Sequence, residues 1–218
     1  KKKKVDENTK MLPISDYNKQ KMVVEKLIEN YSKFFRTVIV RPATVCGYSA
    51  RLRLDLSVNL LTYHAYKKKT INIFGGDQIR PNIHIDDMCD LYKMLINNDI
   101  KKYNGEIFNV GTENLKIIEV AEKVKSVLEN KLQKKNIEIR VEESADIRSY
   151  MINSDKIQKI LGFKFKKTVL NAIEDLCDAF EQDKIVDSFS DQWSNIKVLT
   201  KKNQNFLKSF DLDQNNSE

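Results

Sequence analysis

The chain has 218 residues, 41% of them hydrophobic and 32% charged, which is enough apolar material for one or two packed domains and too much for a chain disordered throughout. Thirty-eight basic against 31 acidic side chains give a net charge of +7, but the lysines are scattered among acids and the arginines number only seven. That pattern describes a solvated lysine surface rather than a groove tracking phosphates, and no apolar run approaches the roughly 20 residues that cross a bilayer.

After a polar start, Ser15 and Asp16 can cap a helix over about Tyr17 to Ser32, and the helical spacing of Met22, Val23, Leu27 and Ile28 predicts an inward face. Thr37 to Val40 follows as a strand ended by Arg41-Pro42, and its β-branched run predicts burial on both faces, as in a parallel sheet. Leu54 to Tyr66 reads as a second helix with Leu56, Leu60, Leu61 and Tyr63 inward and Lys67 to Lys69 at the negative end of its dipole. Ile71 to Phe74 is a strand stopped by Gly75-Gly76, and Asp86-Asp87 open a helix carrying Met88, Leu91, Tyr92, Leu95 and Ile96.

Glu106 to Val110 reads as a strand closed by Gly111 as a turn glycine, Ile117 to Leu128 as a helix and Ile137 to Val141 as a strand. Ser154 to Leu161 makes a short helix ended by Gly162, and Thr168 to Phe180 a last amphipathic helix. This alternation predicts an α/β fold with a mainly parallel sheet. From about Gln182 the apolar period fades into a polar tail, in which Phe189, Trp193, Ile196 and Val198 can pack back on the body.

Cys46, Cys89 and Cys177 form no CxxC pair and leave one over, which fits a reducing compartment, so a cytoplasmic protein is expected, without a signal peptide. With His64 and His84 the only histidines and no tight Cys/His spacing, no metal site is expected. None of the six glycines forms a GxGxxG turn or a P-loop.

Tyr17 and Lys21 stand four apart and project from one helix face. An ammonium beside a phenol stabilises the phenolate, the form that accepts a proton in general base catalysis. The spacing alone is weak, since eight tyrosines in a lysine-rich chain give about one YxxxK by chance, and a second pair, Tyr63 with Lys67, is present. Tyr63 is expected in the core, which makes it the chance match.

Tyr17 and Lys21 do not stand alone. The blocks PISDYNKQKMVVEKLI, VIVRPATVCGYSARLRLDLSVN, INIFGGDQIRPNIHIDDM, EIFNVGTEN and ADIRSYMINSDKIQKILGF resemble, in order, the C-terminal part of the extended short-chain dehydrogenase/reductases, the NAD-dependent nucleotide-sugar epimerases and dehydratases. The resemblance runs over about Val5 to Phe180. It implies a partial Rossmann domain, a doubly wound parallel sheet lacking its N-terminal part, with a smaller α/β substrate-binding domain. On this division residues 1–47 belong to the Rossmann domain, 48–181 to the substrate domain interleaved with returning Rossmann elements at about 84–111, and 182–218 to the tail.

The resemblance further implies roles for single residues. Tyr17 matches the catalytic tyrosine and Lys21 the lysine that also holds the nicotinamide ribose, while Pro42 and Ala43 lie at the strand end beside the nicotinamide. Thr44 stands where many members carry a substrate-binding Asn. Asn59 resembles an Asn that meets the substrate diphosphate, and Arg80 and Arg148 match arginines that grip nucleotide phosphates, a task suited to the planar guanidinium fork. His84 and Asp87 are expected to fix a helix start, and Arg51 and Arg53 to reach substrate or a subunit partner.

The cofactor implied is NAD, with NADP as the alternative, and the partners are a nucleotide sugar and a second copy in a homodimer, with neither nucleic acid nor membrane. The Gly-rich cofactor turn and the active-site Ser/Thr of the family would lie before Lys1, so a fragment of the full enzyme is expected. The alternative reading is a truncated, non-catalytic remnant that binds nucleotide sugar or a partner protein. A basic nucleic-acid-binding module ranks below both.

Overall fold

A computed structural model describes residues 4–144, 148–185, 191–195 and 197–202. Helix α1 (Asp16–Tyr31) starts where the Ser15 hydroxyl accepts the Asn18 N–H at 3.3 Å, as the capping pattern predicts. Strand β1 (Val38–Pro42) follows, then β2 (Thr44–Cys46), α2 (Ser57–Lys68), β3 (Thr70–Phe74), β4 (Ile79–His84) and α3 (Ile85–Asn97). The chain continues through β5 (Glu106–Val110), β6 (Glu113–Lys116), α4 (Ile117–Lys131), β7 (Glu138–Glu142), α5 (Asp155–Leu161) and α6 (Val169–Glu181).

The pairing is mainly parallel, as the alternation predicts. β1 pairs with β5 so that Pro42 faces Val110, β2 pairs with β4 so that Thr44 faces Asn82, and β3 pairs with β7. The exception is β6, antiparallel to β4 with Leu115 opposite Arg80. β2, β4 and β6 are absent from the sequence reading because none shows a clear alternating period, and Pro81 stands inside β4, where sequence rules disfavour a strand.

One core gathers Val58 and Ala65 of α2, Ile71 and Ile73 of β3, Val124 of α4 and Ile173 of α6, all at most 1% exposed. A second joins Ala43 between β1 and β2, Ile83 of β4, Leu91 of α3, Phe108 and Val110 of β5, Ile157 of α5 and Phe163 just beyond it. Tyr63 lies in a third cluster with Leu52, Leu54, Leu176 and Phe180, where Trp193 packs back on the body as expected. Each large aliphatic side chain buried this way contributes about 1.5–3 kcal/mol, so these clusters and not the turns hold the fold. Phe189, Ile196 and the tail beyond residue 202 lie outside the described residues.

Three local expectations are corrected. The apolar stripe of α1 does not face a core: Val23 is 61% and Leu27 53% exposed, and the buried residue of this helix is Glu25. Val38 to Val40 are half-buried rather than enclosed, because among the described residues β1 has one paired strand, β5. Gly111 is not a left-handed turn residue but a close-approach glycine: a Cβ there would lie 2.7 Å from Ile152 Cδ1 and 3.0 Å from Ala43 Cβ.

Candidate active site

Helix α1 presents Tyr17 to solvent at 66% exposure, with the Lys21 ammonium 5.5 Å from the centre of its ring. Neighbouring lysines are spoken for, Lys19 by Asp16 and Lys26 by Glu29, each at 3.0 Å. Among the described residues Lys21 has no carboxylate partner, and the Tyr17 hydroxyl makes no hydrogen bond. One phenol and one ammonium therefore stand side by side with their polar groups available to a ligand.

The helix is fastened two turns further on. Arg41 Nε donates to Glu25 Oε2 at 2.9 Å and Arg41 Nη2 to Glu25 Oε1, a two-bond fork. That hydrogen bond raises the Arg41 pKa above its ordinary value against the opposing effect of burial. Arg41 Nη1 also donates to the Glu7 carbonyl at 3.2 Å, and the Glu7 carboxylate accepts the Asn109 N–H of β5 at 2.8 Å. The segment before α1, the helix itself and the ends of β1 and β5 are thus tied through one guanidinium.

Arg41 leads directly to Pro42, Ala43 and Thr44. Pro42 is exposed, Ala43 is buried with its N–H donating to the Val110 carbonyl at 2.8 Å, and Thr44 is half-buried beside Asn82. Asn59 is 2% exposed and engaged at both ends of its amide: Oδ1 accepts the Gly47 N–H and Nδ2 donates to the Arg53 carbonyl, both at 3.0 Å. Its side chain braces the loop between β2 and α2.

Arg80 and Arg148 are brought together from distant sequence. Arg80 Nη1 donates to the Ile79 carbonyl at 3.2 Å and to the backbone carbonyl of Arg148, whose residue is exposed. Arg51 and Arg53 are directed elsewhere. Arg51 Nη2 donates to Asn195 Oδ1 at 2.8 Å and Nη1 to the Gln192 carbonyl at 3.3 Å, while Arg53 forks onto Asp55 at 3.0 and 3.1 Å.

His84 fixes the start of α3, as the sequence suggests, whereas Asp87 is turned instead to the segment before α6. His84 Nδ1 accepts the Asp86 N–H at 3.0 Å, so Nε2 carries the proton toward Asp175 Oδ2 at 3.0 Å. Asp87 accepts the backbone N–H groups of Lys166 and Lys167. His84, Asp86 and Asp175 place ligand atoms within 4.8 Å of one another, the spacing of a cation site. Both imidazole nitrogens are already committed, however, and the Lys167 ammonium lies 3.7 Å from Asp86 and 4.0 Å from Asp175. Lys167 offsets one of the cluster's two carboxylate charges.

A family model described as the NAD dependent epimerase/dehydratase family matches residues 1–111, half of the chain. The chain belongs to this family. Its relatives include a GDP-6-deoxy-D-talose 4-dehydrogenase of Aggregatibacter actinomycetemcomitans, 24% identical over 74% of this chain and 53% of the relative. A UDP-glucose 4-epimerase of Mycoplasma genitalium is 31% identical over 49% of this chain and 32% of its own length. The chain thus spans about half or less of these relatives.

Among solved structures, UDP-glucuronic acid 4-epimerase from Bacillus cereus, in complex with UDP-glucuronic acid and NAD, matches with a TM-score of 0.70 at 24% identity, covering 84% of this chain and 57% of that one. dTDP-glucose 4,6-dehydratase from Bacillus anthracis, in complex with NAD, gives a TM-score of 0.70 at 20% identity over 85% and 58%. These likenesses establish that the chain shares the α/β fold of those structures over the matched residues.

Sequence reasoning missed Glu25, Glu7 and the work of Arg41. A signal existed for Glu25: it lies three residues after Met22 and three before Ile28, so it stands on the apolar stripe, where a charge needs a partner. Nothing local identifies that partner as Arg41.

Proposed function

We propose that the chain carries the proton-transfer half of an NAD-dependent enzyme that epimerises or dehydrates a nucleotide sugar, with Tyr17 as general base and Lys21 as its electrostatic partner. The observation that carries this reading is the exposed Tyr17 and Lys21 pair, unpaired by other described side chains, on a helix fastened to the strand end Arg41-Pro42-Ala43. When bound, NAD supplies the hydride acceptor for the sugar carbon being oxidised. Tyr17 takes the hydroxyl proton of that carbon, leaving a keto sugar, and the Lys21 ammonium stabilises the phenolate before transfer.

Lys21 is also the group offered to the cofactor ribose, and Pro42 with Ala43 form the apolar strand end beside it. Epimerisation then needs reduction from the opposite face and dehydration the loss of water; the similar proteins named above include an epimerase and a dehydratase, and this oxidation can open either reaction.

Arg80, with Arg148 beside it, is assigned to the nucleotide phosphates and Thr44 to the sugar side of the cleft. For Asn59 we assign an indirect part, bracing the loop that borders the site rather than reaching the diphosphate. The first core corresponds on this reading to the substrate-binding domain, and the second to the Rossmann portion. The uncovered face of α1, with Val23 and Leu27, suits a homodimer, and the free thiols of Cys46, Cys89 and Cys177 suit the cytoplasm. Among the described residues no helix is long and apolar enough to cross a membrane.

The test is Tyr17→Phe in the full-length protein. Turnover of nucleotide sugars should fall at least a hundredfold, roughly, while NAD binding is retained. Unchanged turnover would remove Tyr17 from the chemistry and this reading with it.

A further inference from the structure

Glu25 is buried on a helix that otherwise lies largely uncovered, with Tyr17, Val23 and Leu27 66%, 61% and 53% exposed. A carboxylate withdrawn from water is costly unless it is paired and hydrogen-bonded, and Glu25 has both through the fork from Arg41. A planar guanidinium bound at two points fixes direction as well as distance. Arg41 also holds the Glu7 carbonyl, so one guanidinium ties both the helix and the segment before it to the residue that precedes Pro42 and Ala43.

Helix geometry shows what that lock controls. Glu25 follows Lys21 by four residues and Tyr17 by eight, so at 3.6 residues per turn the three lie within an arc of about 80° along some 12 Å of helix. A slip by one residue rotates the face by about 100° and would turn Tyr17 and Lys21 by the same angle relative to Arg41. With little apolar packing to resist rotation, the Glu25 and Arg41 fork is the main restraint visible along α1.

We propose that Glu25 is a positioning residue: through Arg41 it sets the rotation and depth at which α1 presents Tyr17 and Lys21 to the Pro42-Ala43 strand end. The inference rests on the Tyr17 and Lys21 reading given above.

The experiment is a double-mutant cycle in the full-length protein with Glu25→Gln, Arg41→Lys and both together, and turnover normalised to sites that hold NAD. Each single change should lower kcat roughly ten- to a hundredfold while KM for the nucleotide sugar stays within about twofold, because the base is displaced but the phosphate grip is not. The double variant should be no worse than either single one, and Glu25→Asp should restore part of kcat. Lys26→Ala, on the same helix but outside the fork, serves as the control and should match the unaltered protein. If Glu25→Gln fails to fold, Arg41→Lys and Glu25→Asp carry the test.

A normalised kcat that is unchanged, losses that add, or a rise in KM at constant kcat would each overturn the positioning role. Those results, with Tyr17→Phe still inactive, would leave the catalytic reading standing. An active Tyr17→Phe would instead defeat the catalytic reading itself.

Discussion

Arg80 on β4 reaches across a separation of 68 residues to donate from Nη1 to the backbone carbonyl of Arg148. The contact brings two of the seven arginines into one region of a lysine-rich surface. It also holds the guanidinium in a defined orientation, which a flexible ammonium could not reproduce.

Arg80→Lys keeps the charge and removes the fork. In the full-length protein KM for the nucleotide sugar should rise about tenfold with kcat nearly unchanged, the signature of lost uniform binding. Initial-rate kinetics over a range of substrate concentrations decide it. An unaltered KM would assign Arg80 to holding the segment at Arg148 alone.

Gly111→Ala tests close packing beside the strand end. The added methyl would meet Ile152 Cδ1 at 2.7 Å and Ala43 Cβ at 3.0 Å. Ile152 Cδ1 ends a flexible side chain and can turn aside, but Ala43 Cβ is attached directly to a backbone whose N–H is bound to the Val110 carbonyl at 2.8 Å. Overpacking of this kind costs about 1–3 kcal/mol, read as a lower urea midpoint with an unchanged m-value.

Asp55 links stability to pH. Burial pushes its carboxyl pKa up, but the Arg53 fork and the backbone N–H groups of Asp55 and Asn195 outweigh it, and the folded-state value is lowered from 3.8. A lowered value means the stabilisation is fully present above the ordinary carboxylate range and is lost as the pH falls through the folded-state value. Asp55→Asn should therefore cost about 1 kcal/mol at neutral pH. The difference between the two melting curves should shrink toward zero in acid below 3.8. A difference that is constant across the acid range would show that the Asp55 charge is not what holds the Trp193 to Asn195 segment against the loop.

The longer elements were legible in the sequence because their signals are local. The apolar period of residues 169–181, the β-branched run at Val38 to Val40 and the glycine ending α5 each depend on neighbours a few residues away. The family blocks were legible for the same reason, since they are short strings in fixed order. The spacing put Tyr17 and Lys21 on one helix face, because four residues make about one turn, and the family blocks singled that pair out from Tyr63 and Lys67.

What the tertiary structure decided depends on groups far apart in sequence. Short strands such as β2 and β6 exist through β4, which supplies the hydrogen bonds that three or four residues cannot make alone. Glu25 is buried because Arg41 is there to pair it, Asn59 is closed onto Gly47 and Arg53 because the loop folds back, and Arg80 finds Arg148 because Ser149 and Tyr150 are bound to Ile79 at the start of β4. The sequence determined which residues could do chemistry and on which elements they ride. The fold decided which of those side chains are already bound within the chain and which stand ready for a ligand, because that depends on distances through space rather than along the backbone.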